Sequence, residues 1–189
     1  MDRRERRAAV ALGSNVGDRM SHVGYAVERL GTLLSDVVVS TLIETVPEHG
    51  AADPLFLNGA LVGTTLETPE QLLATLLAIE QERGRTRHRP GAPRTLDLDL
   101  VLVGDLTVES LRLTLPHPRF RSRAFVLGPM AEIAPGLVDP VTGRSVGELF
   151  EMLSARRDWL DSGPGGQVPG ASTECPRAVS PEEGKETMR

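Results

Sequence analysis

The sequence contains almost no lysine. Of the 21 lysine and arginine residues in the 189-residue chain, only Lys185 is a lysine, and it lies near the C-terminus. This excludes a phosphate-binding loop that depends on a lysine in the core, and it excludes Schiff-base chemistry there. Any phosphate chemistry in this chain therefore has to use arginine, histidine and metal ions.

Cysteine and long apolar runs are also scarce. Cys175 is the single cysteine, so an intrachain disulfide and a zinc site built on several cysteines are both excluded. No run of about 18 apolar residues is present, and the apolar stretch from Ala8 to Leu12 is too short for a secretory signal. We therefore expect a cytoplasmic protein that does not bind a membrane.

Net positive charge is lacking as well. The formal net charge is −5 and the sequence pI is about 5.4, which argues against general nucleic-acid binding. The basic residues are nevertheless clustered, which favours a small polyanionic ligand. We expect a monomer with one catalytic domain, residues 1–160, followed by a disordered tail rich in Pro and Gly, residues 161–189.

What is present is a strand that carries two carboxylates. Residues 96–100 alternate with period two, so leucines occupy one face and Asp97 and Asp99 the other, about 6–7 Å apart. Two carboxylates on so apolar a strand are costly unless a cation lies between them. Their oxygens suit a pair of Mg²⁺ ions whose remaining ligands are phosphate oxygens.

A basic loop precedes this strand. Four arginines and one histidine fall within residues 85–94, where Pro and Gly hold the chain in a loop. Guanidinium groups match phosphate oxygens in geometry, so an anion-binding loop would lead directly into the carboxylate strand. The alternative is an exposed strand balanced by a solvated basic segment.

Three further segments are candidate parts of a ligand site, and for the first two an ordinary structural role is the alternative. Phe56 and Asn58 share one face of a predicted strand, where they would hold a flat heterocycle or serve as a core residue and a turn-stabilising amide. The loop over residues 45–54 is a mobile lid or an ordinary connection. His117 lies between two prolines that fix its backbone, which suits a ligand-facing histidine.

Two helices are predicted between these segments. The first runs to about Leu34, with Asn15 or Asp18 as N-cap, Met20 on its apolar side and His22 exposed without a role. The second runs over residues 68–83 with a capping box and ends at a glycine. Glu80 falls on its apolar stripe, as a surface carboxylate at the edge or as a residue that reaches into the site.

The order of elements predicts the fold class. Strand, helix, two strands, helix and strand over residues 7–104 predict an α+β fold with a ferredoxin-like βαββαβ core. We expect additional C-terminal strands and helices to extend the sheet and cover it. Arginines at 119, 121 and 123 form a second basic group next to a helix that ends near residue 135. A last helix is predicted over residues 146–156.

Four segments together resemble one enzyme family. Residues 11–15, 56–60, 93–100 and 116–125 occur in the order seen in the 6-hydroxymethyl-7,8-dihydropterin pyrophosphokinase family of folate biosynthesis, and the similarity covers about residues 7–158. The resemblance implies transfer of pyrophosphate from ATP to the hydroxymethyl group of the pterin, with release of AMP. Residues 89–94 lack the tryptophan that many members carry before the aspartate strand.

The resemblance also implies a role for individual residues. Asp97 and Asp99 would bind two Mg²⁺ ions, with ATP as the co-substrate. The remaining implied contacts are to the pterin, from Thr45, Phe56, Asn58 and Phe125, and to the phosphates or nucleotide, from Glu80, Arg85, Arg89, Arg94, His117 and Arg123.

Two other functions fit the same core. A palm-type nucleotidyltransferase also places paired aspartates beside metal ions, but the acidic chain offers no evident template-binding patch. A non-catalytic module that binds pterin or nucleotide would not need the carboxylate pair. Primer extension would indicate the first alternative, and ligand binding without AMP release the second.

Overall fold

The structure, a computed structural model, describes residues 4–47, 54–84 and 94–162, with the backbone alone for residues 157–162. Its strands are β1 Arg6–Ser14, β2 Ser35–Val39, β3 Ile43–Thr45, β4 Phe56–Thr65, β5 Asp97–Val103, β6 Val108–Glu109 and β7 Thr114–Leu115. Its helices are α1 Arg19–Gly31, α2 Pro69–Glu82, α3 Ala124–Ile133 and α4 Val146–Ser162, with a 3₁₀ helix at Phe120–Ser122.

The main sheet is antiparallel, with strand order β2-β4-β1-β5 and β3 paired to the beginning of β4. Because β1 lies between β4 and β5, its residues are paired on both sides: Gly13 pairs with Asn58 and Asp97, and Ala11 pairs with Ala60 and Asp99. The predicted mixture of antiparallel strands and helices is confirmed at this level.

Helices cover both faces of the sheet. One apolar cluster joins α1 and α2 to the leucine-rich face, with residues such as Leu12, Leu61 and Leu98 buried in it. The other joins α3 and α4 to a face of small side chains that includes Ala11 and Ala60. Asp97 and Asp99 lie on this second face, as their alternation with the leucines predicts.

The starts of α1 and α2 follow local sequence signals. The Asp18 side chain accepts a hydrogen bond from Ser21 N, so Asp18 is the N-cap of α1, and α1 ends at Gly31 rather than at Leu34. Met20, predicted on the apolar side, is exposed. The capping box of α2 is formed as predicted, and Gly84 follows the helix with a φ of +76°.

His22 is not the exposed residue that the helix pattern predicts. It is half-buried, and its Nδ1 accepts a hydrogen bond of 2.9 Å from Arg83 Nε at the end of α2. Burial and the nearby Arg83 charge lower the pKa of His22, and Asp18 opposes this effect. The pair therefore links the beginning of α1 to the end of α2.

Two expectations about the strands are wrong. The β-branched residues 36–46 predict a single strand, but the structure has two strands there, β2 and β3. At the break, the buried Ser40 donates its N–H to Ala60 O at 2.9 Å, and its Oγ, instead of a backbone carbonyl, accepts from Ala60 N. Strands β6 and β7 form a separate two-stranded sheet, so they do not extend the main sheet.

The C-terminal helix is longer than predicted. Helix α4 continues to Ser162 instead of ending at Arg156. The predicted tail lies outside the described residues, apart from positions 161 and 162. Within the described part of the chain, no helix has both the length and the apolar character needed to cross a membrane.

Candidate active site

The floor of the candidate site consists of small residues. Gly13 lies in β1 between Asn58 on β4 and Asp97 on β5. A Cβ atom at Gly13 would come within 3.2 Å of Asn58 Oδ1 and 3.6 Å of Asp97 Cβ. The glycine therefore keeps the space between the amide and the carboxylate open, next to Asp99, which pairs with Ala11.

The turn after β1 positions Arg94. Asn15 is buried, accepts a 2.6 Å hydrogen bond from Arg94 N with its Oδ1, and donates its own backbone N–H to Arg94 O at 3.0 Å. Ser14, also buried, donates its hydroxyl to Thr95 O at 2.6 Å. These contacts hold the Arg94 side chain where its Nη1 forms an ion pair with Asp97 Oδ2.

Asn15 and Ser14 were missed as site residues by sequence reasoning, which considered Asn15 only as a helix cap. The available signal was their position: two polar residues follow a strand in which Ala8 to Gly13 are all buried. Buried polar side chains need partners, and the partners here are backbone groups at the start of the carboxylate strand.

A histidine and an arginine face Asp99 from the other side. Asp99 Oδ2 is 3.9 Å from His117 Nε2 and 3.7 Å from Arg123 Nη1. His117 N donates to Val101 O at 2.9 Å, which fixes this residue against β5. Burial lowers the pKa of His117; Asp99 opposes the shift, and the positive charges of Arg123 and Arg119 add to it. We therefore expect a neutral imidazole at pH 7.

The second basic group does not act as one unit. Arg123 points towards Asp99, whereas Arg121 forms two hydrogen bonds of 2.7 Å to Asp139, a completely buried carboxylate. The Arg121 guanidinium also lies 4.8 Å from the centroid of the Phe120 ring. Arg121 therefore has a structural contact and only Arg123 of this pair faces the carboxylate strand.

The predicted amide, Asn58, lies across Gly13 from Asp97. Asn58 is 6% exposed, and its Nδ2 donates a 2.6 Å hydrogen bond to Thr45 Oγ1. Thr45, predicted in the loop, is the last residue of β3 and pairs with Phe56. Phe125 is the second residue of α3, and the Arg123 guanidinium lies 5.4 Å from the centroid of its ring.

Glu80 is neither a surface carboxylate nor a residue at the edge of the apolar stripe. It is 2% exposed, and its Oε1 accepts a 2.7 Å hydrogen bond from Leu98 N. Leu98 lies between the two aspartates, so Glu80 ties α2 to the strand that presents them. Its contact with a nucleotide stays a prediction.

Two of the predicted site residues lie in a segment that the structure does not describe. Arg85 and Arg89 lie outside the described residues, as does most of the loop predicted over residues 45–54. The site that the structure brings together therefore contains two carboxylates, two arginines, one histidine, one amide with its threonine partner, and two aromatic rings.

The fold and the site define a class of protein. A small antiparallel sheet presents paired carboxylates to arginine and histidine side chains, which is an arrangement suited to metal-assisted chemistry on phosphates. The family profile described as 7,8-dihydro-6-hydroxymethylpterin-pyrophosphokinase (HPPK) matches residues 9–135. The chain belongs to this family, which confirms the resemblance seen in its sequence motifs.

Individual relatives agree with this assignment. The chain is 40% identical over 154 residues to a 2-amino-4-hydroxy-6-hydroxymethyldihydropteridine pyrophosphokinase from Synechocystis sp., covering 80% of this chain and 78% of the relative. It is 41% identical over 149 residues to the protein of the same name from Methylorubrum extorquens, covering 78% and 93%.

A solved structure shares the fold at low sequence identity. A crystal structure of wild-type Plasmodium falciparum HPPK-DHPS with pteroate matches with a TM-score of 0.66 and 14% identity. The match covers 85% of this chain and 45% of the solved one. This chain therefore corresponds to less than half of that protein.

Proposed function

We propose that this chain transfers pyrophosphate from ATP to the hydroxymethyl group of 6-hydroxymethyl-7,8-dihydropterin and releases AMP. The observation that carries the proposal is the row Asn58–Gly13–Asp97 across three neighbouring strands. At about 4.8 Å per strand, an amide able to pair with a ring edge lies roughly 10 Å from a carboxylate able to hold a metal. A flat ring with a reactive hydroxyl at one end fits this row.

The carboxylate pair fits two Mg²⁺ ions that substrate phosphates complete. Among the described residues, no group of three or more His, Cys, Asp or Glu side chains could hold a metal ion. Asp97 and Asp99 would therefore supply only part of each coordination sphere, as is usual for Mg²⁺ bound with a nucleotide. When bound, Mg²⁺ neutralises phosphate charge and lowers the pKa of the attacking hydroxyl.

The side chains around the carboxylates complete the proposed chemistry. The pterin hydroxyl oxygen attacks the β-phosphorus of ATP, the bond from that phosphorus to the α-β bridging oxygen breaks, AMP leaves, and the hydroxyl proton passes to solvent. Arg94 and Arg123 stabilise negative charge on the transferring group, as do Arg85 and Arg89. His117, as a neutral ring, donates a hydrogen bond to a phosphate oxygen without competing with the metal ions.

The ring-binding side chains orient the acceptor. Asn58 offers a donor and an acceptor to the pterin edge, and Thr45 fixes which way the amide faces through its hydrogen bond to Asn58 Nδ2. Phe56 and Phe125 stack on the two faces of the ring. Glu80 acts near the nucleotide, through the strand that it supports.

We extend the proposal to the fold type, the domain boundaries, the oligomeric state and the cellular location of the chain. We assign the strand order β2-β4-β1-β5, with helices α1 and α2 on one face, to a ferredoxin-like core to which β3 is a short addition. We also propose that the catalytic domain occupies residues 1–160 and works as a cytoplasmic monomer, and that residues 161–189 are a disordered tail.

The deciding experiment is AMP formation from ATP and Mg²⁺ with and without 6-hydroxymethyl-7,8-dihydropterin. We expect AMP only when the pterin is present, and loss of the reaction when EDTA removes Mg²⁺. Formation of ADP, or ligand binding without any product, would contradict pyrophosphate transfer. Primer extension by the same preparation would support the nucleotidyltransferase alternative.

Asn58→Ala is expected to weaken pterin binding and leave ATP binding almost unchanged. The substitution removes the paired donor and acceptor at the ring edge, so the KM for the pterin should rise about tenfold or more. Steady-state kinetics with each substrate varied in turn measures both constants. An equal rise in both KM values would assign Asn58 a general structural role instead.

A further inference from the structure

Arg19 connects two chain segments that carry ring-binding residues. It is the first residue of α1, and its Nη1 donates a 2.9 Å hydrogen bond to Leu55 O while its Nη2 lies 2.6 Å from Glu44 Oε1. Glu44 directly precedes Thr45, and Leu55 directly precedes Phe56. One guanidinium group therefore holds the positions next to two of the pterin-binding side chains.

The pairing of these two segments is otherwise weak. Strand β3 has only three residues, and it pairs with β4 along one side at the edge of the sheet. Short edge strands form few ladder hydrogen bonds and have little independent stability. The two bonds from Arg19 add a cross-link at the end of β3, where Thr45 accepts the hydrogen bond from Asn58.

Packing contributes little to holding Leu55 in place. Leu55 is 43% exposed, and with Arg19 and Pro54 it lines a cavity of about 490 Å³ that reaches residues 15–17. Among the described residues no side chain fills this space, so within that part of the chain the hydrogen bond from Arg19, rather than close packing, holds the Leu55 backbone against α1.

The backbone of Arg19 is itself held in place by hydrogen bonds. Its backbone N–H donates to Gly17 O at 3.0 Å, and the preceding residue, Asp18, caps α1. The chain enters this helix directly from the turn in which Asn15 holds Arg94. The same turn therefore supports the carboxylate strand on one side and, through Arg19, the ring-binding segments on the other.

We propose that Arg19 is a positioning residue for the acceptor-binding half of the site. It does not contact the substrate; it braces the paired ends of β3 and β4 against the start of α1, and so holds the Thr45–Phe56 pair in place relative to the rest of the site. This inference rests on the proposed function. A lysine at position 19 would take over this role only in part, because an ammonium group lacks the planar fork with which a guanidinium group reaches two acceptors at once.

The test compares Arg19→Met and Arg19→Lys with a matched control, Arg4→Met. Arg4 also forms an exposed ion pair, with Asp105 at 2.7 Å, but at the opposite end of β1 and β5. For Arg19→Met we expect the KM for 6-hydroxymethyl-7,8-dihydropterin to rise about tenfold, with kcat and the KM for ATP within about twofold. Arg19→Lys should recover only part of this loss, and Arg4→Met should leave all three constants unchanged.

The outcomes separate this inference from the proposed function. If the wild-type enzyme forms AMP and Arg19→Met leaves the pterin KM unchanged, the positioning role is wrong while the proposed function stands. If Arg19→Met lowers kcat, raises both KM values and lowers the melting temperature together, the positioning role is also wrong, and Arg19 has a purely structural role. Fluorescence titration of wild type and Arg19→Met with the pterin should reproduce the KM difference without turnover.

Discussion

Asp97→Ala and Asp99→Ala are each expected to reduce kcat for AMP formation by about 10³-fold or more, because each removes one of the two carboxylates proposed to hold Mg²⁺ against the phosphates. Neither side chain is fully buried: the relative exposures of Asp97 and Asp99 are 17% and 38%. Removing them therefore creates no cavity in the core, and the melting temperature should stay close to that of the wild type. Steady-state kinetics and thermal unfolding of the same samples measure the two effects.

A control for this prediction lies just beyond the other end of β5. Asp105 is an exposed carboxylate that pairs with Arg4 away from the site, so Asp105→Ala should keep full activity. If a double variant lacking both Asp97 and Asp99 still formed AMP in a Mg²⁺-dependent manner, the proposed metal site would be wrong. Loss of activity accompanied by unfolding would assign the carboxylates a structural role.

The features that sequence predicted well are local ones. Alternation along residues 96–100 fixes which side chains share a face of β5, because side chains in a strand point alternately to opposite sides. The capping box of α2 and the cap at Asp18 likewise depend on residues three positions apart. The motifs also sufficed to identify the family, since the specific segments occur in one order.

The features that sequence could not predict join residues distant along the chain. Asn15 and Arg94 are 79 residues apart, and Glu80 and Leu98 are 18 apart. A pattern of polarity indicates that Glu80 is unusual for its stripe, but it does not reveal the backbone N–H that compensates its burial. The break between β2 and β3 is similar, because the Ser40 hydroxyl accepts a hydrogen bond from Ala60 N, 20 residues later in the chain.

The arginine group at 119–123 illustrates the same limit. Three arginines at alternate positions form one basic group in the sequence, yet one of them, Arg121, is directed to a buried carboxylate 18 residues away. Only tertiary structure distinguishes an arginine held for structure from one held for a ligand. This distinction leads to a second prediction with a large effect, on stability rather than on turnover.

Asp139→Ala is expected to lower the free energy of unfolding by about 3 kcal/mol, or the melting temperature by roughly 10 °C. Asp139 is completely buried and accepts hydrogen bonds from Arg121, from Thr142 Oγ1 at 2.6 Å and from Val141 N at 3.2 Å. The alanine variant would leave these donors without their acceptor. Urea unfolding measures the loss, and Asp105→Ala, which removes an exposed pair, should change little. A similar small change in both variants would contradict the assignment.

The same carboxylate should make stability sensitive to acid. Burial alone would raise the pKa of Asp139, but hydrogen bonds from Arg121, Thr142 and Val141 outweigh it and lower the pKa. The folded state therefore binds a proton less readily than the unfolded state, so the stabilisation is complete above the ordinary carboxyl pKa of about 3.9. This stabilisation is lost as the pH falls through the lowered pKa that Asp139 has in the folded state.

The stability difference between wild type and Asp139→Asn should thus be largest at pH 7 and shrink below about pH 4. Urea unfolding of both proteins across this range measures it, and parallel curves would show that Asp139 does not titrate as proposed. Because Arg121 lies in the 3₁₀ helix between His117 and Arg123, loss of this pair also releases the segment that aims both side chains at Asp99. Acid should therefore loosen the segment that carries His117 and Arg123 before it disturbs β5, which is held by pairing with β1.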